Sequence, residues 1–172
     1  MMDDGQSLTV ALAGNPNVGK STLFNALTGA SQHTGNWPGK TVERATGQFR
    51  WQGRQIQVVD LPGTYSLAAQ SPEEIIARDY IVLQKPDVII NIVDAIHLER
   101  NLNLTIQLLE LSDHVVVVLN FMDELESNGL RIDTEALADL LGVPVIPVVA
   151  TRRTGIEPAI AAVVAVADGV RV

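Results

Sequence analysis

The sequence predicts an α/β fold, a doubly wound and mostly parallel sheet with one antiparallel edge strand and helices on both faces. Three observations predict it. Apolar runs at Val88–Ile90, Val115–Leu119 and Val143–Val149 suit strands buried on both faces. Strand-like and helix-like stretches alternate along the chain, the pattern of right-handed β–α–β crossovers. The composition is 47% hydrophobic but only 4% aromatic, which favours aliphatic strands of this kind.

Thr9–Ala13 is expected to be the first, central strand, and Gly19–Thr28 its helix. Between them stands Gly14-Asn15-Pro16-Asn17-Val18-Gly19-Lys20-Ser21, the spacing GxxxxGKS placed after a strand and before a helix that opens at Thr22. Chemistry explains that spacing. Its glycines let the backbone curl so that successive N–H groups face a β-phosphate, Lys20 brings an ammonium toward the β- and γ-phosphates, and Ser21 offers a hydroxyl to magnesium. The fold is therefore expected to be of the P-loop NTPase kind, small-GTPase-like.

Gly29–Glu43 is expected to be an irregular loop, too polar for an element and too long for a plain connector, and such loops are commonly functional. His33 and Trp37 within it read as packing, as solvent-exposed, or as ligand contacts. Ala45–Trp51 and Gln55–Asp60, joined by Gln52-Gly53-Arg54, form a hairpin that adds the antiparallel edge strand. The second of these ends in Asp60-Leu61-Pro62-Gly63. At the tip of a strand Asp60 can hold magnesium through water, and the Gly63 N–H can approach a γ-phosphate because no Cβ blocks it.

Ser71 as cap, Pro72 in the first turn and Glu73 and Glu74 facing the dipole begin a helix that runs to about Gln84. Val88–Val93 is then a strand, Leu98–Leu111 a helix, Val115–Leu119 a strand, Thr134–Leu141 a helix and Val143–Val149 a strand. Ile156–Val164 reads as a final helix. Asn120 and Asp123 follow the Val115–Leu119 strand, at the carboxyl ends where open α/β sheets take ligands. An aspartate there accepts from the two adjacent N–H groups on the Watson–Crick edge of guanine, a pair that adenine does not offer. The base expected is guanine.

Length allows one domain, residues 1–172. A net charge of −8 argues against a broad grip on nucleic acid, while a triphosphate site depends on fields acting over a few ångströms. There is no cysteine, so no disulfide frame or thiolate metal site is expected. No window reaches the roughly 20 apolar residues that cross a bilayer, and the N-terminus lacks signal-peptide features. The abrupt finish at Val172 suggests a soluble piece of something longer.

Gly14 to Ser21, Gly35-Asn36-Trp37-Pro38-Gly39-Lys40-Thr41-Val42-Glu43, Asp60 to Leu67 and Leu98-Glu99-Arg100-Asn101-Leu102 together resemble the cytoplasmic G domain of the FeoB family, bacterial ferrous-iron transport proteins. The resemblance spans nearly the whole chain. It implies a slow GTPase that binds GTP and GDP with Mg2+. It also implies a cytosolic switch preceding a helical domain and a membrane permease of the same full-length protein, on the cytoplasmic face of the cell membrane.

Carried over by position, Lys20, Thr41 and Gly63 are the catalytic candidates. Asn15, Pro16, Asn17, Val18, Gly19, Lys20, Ser21, Thr22, Gly39, Lys40, Thr41, Asp60, Gly63, Asn120, Met122, Asp123, Ala150, Thr151 and Arg152 are the nucleotide contacts. Ser21, Thr41 and Asp60 would serve Mg2+, and Asn17 would hold a K+ ion that takes the place of an arginine finger. Asn17 is otherwise a turn-forming asparagine. Ala150-Thr151-Arg152 departs from the commonest serine-alanine-lysine form, and Phe121 stands where many GTPases carry a lysine. Thr64 follows Gly63 in place of the water-orienting glutamine of many regulatory GTPases. Two other readings stand beside this one, a GTP-occupancy sensor with negligible turnover and a free-standing ribosome-assembly GTPase. No nucleic-acid partner is expected, and a homo-oligomer is possible.

Overall fold

The computed structural model describes residues 6–170, and Arg171, Val172 and the first five residues lie outside them. Seven strands form one sheet in the order β2-β3-β4-β1-β5-β6-β7. They are β1 Leu8–Gly14, β2 Gln32–Asn36, β3 Glu43–Trp51, β4 Arg54–Asp60, β5 Val88–Asp94, β6 Val115–Asn120 and β7 Val145–Pro147. From β4 through β1 and β5 to β7 every pairing is parallel, and β3 runs antiparallel to both of its neighbours. Among the described residues six α-helices accompany them: α1 Lys20–Thr28, α2 Pro72–Asp79, α3 Leu98–Leu111, α4 Met122–Ser127, α5 Thr134–Leu141 and α6 Ile156–Ala167.

Alternation of side chains along the strands splits the core between the two faces. Val10, Leu12, Ile56 and Val58 pack with Leu23 and Phe24 of α1 and with Ile156, Ile160 and Val163 of α6. Ala11, Val59 and Ile89 point the other way, to Ile76 and Ala77 of α2 and to Leu104 and Leu108 of α3. This doubly wound arrangement sets the carboxyl ends of β1, β4, β5 and β6 along one rim, where the loops after them carry the sequence motifs.

Three expectations change in detail. Gln32–Asn36, placed in an irregular loop by its polarity, is the sheet's edge strand, paired residue for residue with Glu43–Gly47, so β3 lies one place inside the edge. The loop between these strands closes through Trp37 N–H to Val42 C=O at 2.9 Å. The helix expected to reach Gln84 is α-helical only to Asp79 and continues as a π-helical turn, Tyr80–Gln84. The last strand spans Val145–Pro147 rather than Val143–Val149, bounded by Pro144 and Pro147, whose rings remove ladder N–H groups.

Candidate nucleotide site

The amino end of α1 is built differently from those of its neighbours. Ser71 Oγ caps α2 and Asp133 caps α5, each accepting from a main-chain N–H, and α3, α4 and α6 lack such a cap but carry an acid in the first turn, whereas α1 has neither. Its first intrahelical bond runs from Leu23 N–H to Gly19 C=O at 3.0 Å. The amides of Lys20, Ser21 and Thr22 are thereby left without helical acceptors, beside the positive end of the helix dipole. A 420 Å³ cavity opens there, lined by Asn15, Pro16, Asn17, Gly19, Lys20, Ser21, Thr22 and Gly63.

Gly19 shows why the loop demands glycine. Its φ is +87°, and a Cβ built on it would collide with the Asn120 amide nitrogen. Asn120 can approach so closely because of what it ties together. Its Nδ2 donates to Val18 C=O at 3.0 Å and its Oδ1 accepts from Ala150 N–H at 3.1 Å, all within the interior. The structure thus gives Asn120 the work of stapling the phosphate loop to the Ala150 turn, with both ends of its amide engaged inside the protein. Asp123, the second residue of α4, keeps its side chain partly exposed. Arg152 reaches to 3.8 Å of its Oδ2.

Lys20 Nζ forms an ion pair with Asp60 Oδ1 at the tip of β4. Burial raises the Asp60 pKa above its ordinary value, Lys20 opposes that shift by charge and hydrogen bond, and Glu43 adds to it. The segment after Asp60 crosses directly over the phosphate loop. Thr64 N–H donates to Gly14 C=O at 3.1 Å, and a Cβ on Gly63 would stand 3.2 Å from Pro16 Cα. Asn15, between those two contacts, is 2% exposed, and neither polar atom of its side chain has a partner among the described residues.

Other candidates are placed elsewhere. Gly39, Lys40 and Thr41 are exposed in the β2–β3 loop and do not line the phosphate cavity. Val18 is buried in the core, and Met122 packs beside Leu125, Ile132 and Leu137. Ala150–Arg152 form a short 3-10 turn with Thr151 and Arg152 exposed. Phe121 takes a left-handed φ of 65°, and its ring sits 3.6 Å from where a Gly19 Cβ would be, so it flanks the loop as a lysine stem would. Trp37 is 7% exposed and is a packing residue, while His33 is exposed. Sequence reasoning missed the staple role of Asn120, because a hydrogen-bond pair 102 and 30 residues away leaves no local pattern.

A family profile described as "Ferrous iron transport protein B" matches residues 8–163. The chain belongs to the FeoB family. Within FeoB it corresponds to the N-terminal G domain. It is 54% identical over 156 residues to the Fe(2+) transporter FeoB of Salmonella typhimurium, an alignment covering 88% of this chain and 20% of that protein. The chain thus spans about a fifth of the length of such curated FeoB relatives. The FeoB G domain of Methanococcus jannaschii is similar at 48% identity and a TM-score of 0.84, covering 95% of this chain and 99% of that one. The cytosolic domain of T. maritima FeoB in its GMPPNP form is similar at 42% identity and a TM-score of 0.90, covering 93% and 64%.

Proposed function

We propose that this domain binds GTP and GDP with Mg2+ and hydrolyses GTP slowly. In the longer FeoB protein it acts as a switch on the cytoplasmic face of the membrane, regulating ferrous-iron transport. The observation that carries the reading is the uncapped α1 terminus beside Lys20, tied by Asn120 to the loop that bears Asp123. Free amides and an ammonium suit a polyphosphate, and the half-exposed carboxylate suits the N–H pair of guanine. The GMPPNP form of the T. maritima relative supports the same ligand class.

The donors present fit the cations. Ser21 lines the cavity and Asp60 is paired with Lys20 of its lining, both offering hard oxygen, and Mg2+ characteristically takes one or two protein groups and completes its shell with phosphate and water. Among the described residues no cluster of three or more His, Cys, Asp or Glu could hold a metal without such help. Asn17, exposed in the cavity lining, offers a neutral carboxamide oxygen suited to K+. When bound, these cations supply positive charge beside β- and γ-phosphate oxygens, where a loose transition state gathers negative charge.

In this reading Lys20 exchanges Asp60 for phosphate oxygens, Gly63 presents its N–H to the γ-phosphate, and Thr41 joins Ser21 only after the β2–β3 loop moves. Thr64 supplies no carboxamide to orient water, so turnover is slow. Calorimetry with GTP, GDP and ATP in the presence of Mg2+ tests the binding, with uptake of both guanine nucleotides and not of ATP expected. Single-turnover hydrolysis in K+ against Na+ tests the enzyme, with faster decay in K+ expected. Binding with no turnover in either salt would leave an occupancy sensor.

A further inference from the structure

The helices do not cover the whole sheet on the α2 side. Toward the β2 edge the strands carry Thr46, Gln48 and Gln57 into a 450 Å³ cleft that Arg44, His33 and Tyr80 also line, and no Asp or Glu lies in its lining. None of its lining residues belongs to the phosphate cavity.

Arg44 is the unusual member. Among the described residues it forms no salt bridge, in a chain with 20 acidic against 12 basic residues. Its Nε–H is buried without an acceptor, and so is the Trp37 Nε1–H beside it. The guanidinium rests 4.7 Å from the centre of the Trp37 ring, which in turn meets Tyr80 edge to face at 5.7 Å. Stacking fixes the plane of a guanidinium and leaves the edges of its fork free to donate. Buried donors of this kind are paired in native proteins, and among the described residues none pairs them. The set is a preoriented cation, with hydroxyls and carboxamides around it and no anion.

We propose that this cleft binds a small oxyanion, a carboxylate or a phosphate group, held by the Arg44 fork with Thr46, Gln57 and Tyr80 as neutral donors. Planar or tetrahedral oxygens match the two parallel N–H bonds that arginine offers, and charge-assisted bonds of this type are the strong ones. The volume leaves room for an organic body behind the anionic group. The site lies outside the nucleotide cavity, so it stands or falls separately from the GTP reading.

Trp37 is the local reporter, since the chain has two tryptophans and Trp51→Phe leaves it as the sole indole. That variant is titrated with inorganic phosphate and, separately, with malonate at constant ionic strength, alone and with Lys20→Ala to disable the phosphate loop. A saturable change in Trp37 emission that survives Lys20→Ala is expected with at least one anion, and which anion produces it names the chemistry. Arg44→Gln is expected to weaken it about tenfold or more. Gln48→Glu does the same by placing a carboxylate in the lining, and it keeps the acceptor that Gln55 Nε2 uses, so it serves even if Arg44→Gln fails to fold. No saturable response to either anion, a response lost with Lys20, or one indifferent to a folded Arg44→Gln or Gln48→Glu overturns the proposal.

Discussion

In the proposed reading Asp123, and not Asn120, chooses the base. The Asn120 amide is consumed by Val18 and Ala150, so in that reading selectivity would rest on a carboxylate that accepts and cannot donate. Asp123→Asn presents a donor where guanine also donates, and a site built to hydrogen-bond one group rejects its analogue by a large factor. GTP affinity is expected to fall by about 100-fold or more while xanthine nucleotide gains, as competition calorimetry would read. Asn17→Ala is expected to remove the K+ stimulation of single-turnover hydrolysis with GDP affinity nearly unchanged, and an undiminished K+ response would place the ion elsewhere. The placement of Gly19, Lys20 and Ser21 at the head of α1 and of Asp123 just past β6 was legible because each depends on neighbours within a few residues. Asn15 was legible only as a loop member, and its burial with unpaired polar atoms belongs to the crossing of two distant segments.

At the scale of elements, legibility followed the strength of the local pattern. Strands β1, β5 and β6 announce themselves by apolar runs that stay buried on both faces, and α2 by Ser71 and Pro72. Strand β2 does not, since Gln-His-Thr-Gly-Asn has no alternation and exists as a strand only through its ladder with β3. The π-helical turn after α2 was equally hidden, and it delivers Tyr80 against Trp37. Burial raises the Tyr80 phenol pKa above its ordinary 10.0, with Arg44 lowering it in part. An acid whose folded pKa is raised keeps its proton longer in the native state. Its contribution to stability is therefore intact below about pH 10 and declines as pH climbs from there through the raised value. Absorbance titration of the two tyrosines is expected to show one late phase, absent in Tyr80→Phe and moved later still in Arg44→Gln. On α3, the buried Thr105 Oγ1 donates to Asn91 Oδ1 at 2.6 Å, and Asn91 Nδ2 reaches Ala13 C=O at 3.3 Å. Thr105→Val leaves a buried acceptor unpaired and is expected to cost about 1–3 kcal/mol in urea denaturation.

For the whole molecule, the strand order brings the motifs to one rim; the doubly wound, mostly parallel sheet was legible from alternation and handedness, while β2 and its place at the edge were not. In the proposed reading a nucleotide would touch several elements at once: the β1–α1 loop, the tip of β4, the start of α4 and the turn before α6. A ligand that binds only the folded arrangement stabilises it by mass action, about 2.7 kcal/mol at a hundred times its Kd. In a domain of this size each kcal/mol moves the midpoint by about 2–4 °C, so saturating GDP with Mg2+ is expected to raise Tm by roughly 5–11 °C. Three controls give the shift its meaning. ADP is expected to give little, because Asp123 refuses its base; EDTA is expected to shrink the GDP effect, because Ser21 and Asp60 then act without the ion; and Lys20→Ala is expected to remove most of what remains. A shift of equal size with ADP would show that phosphate capture alone stabilises the fold and that the rim does not read the base.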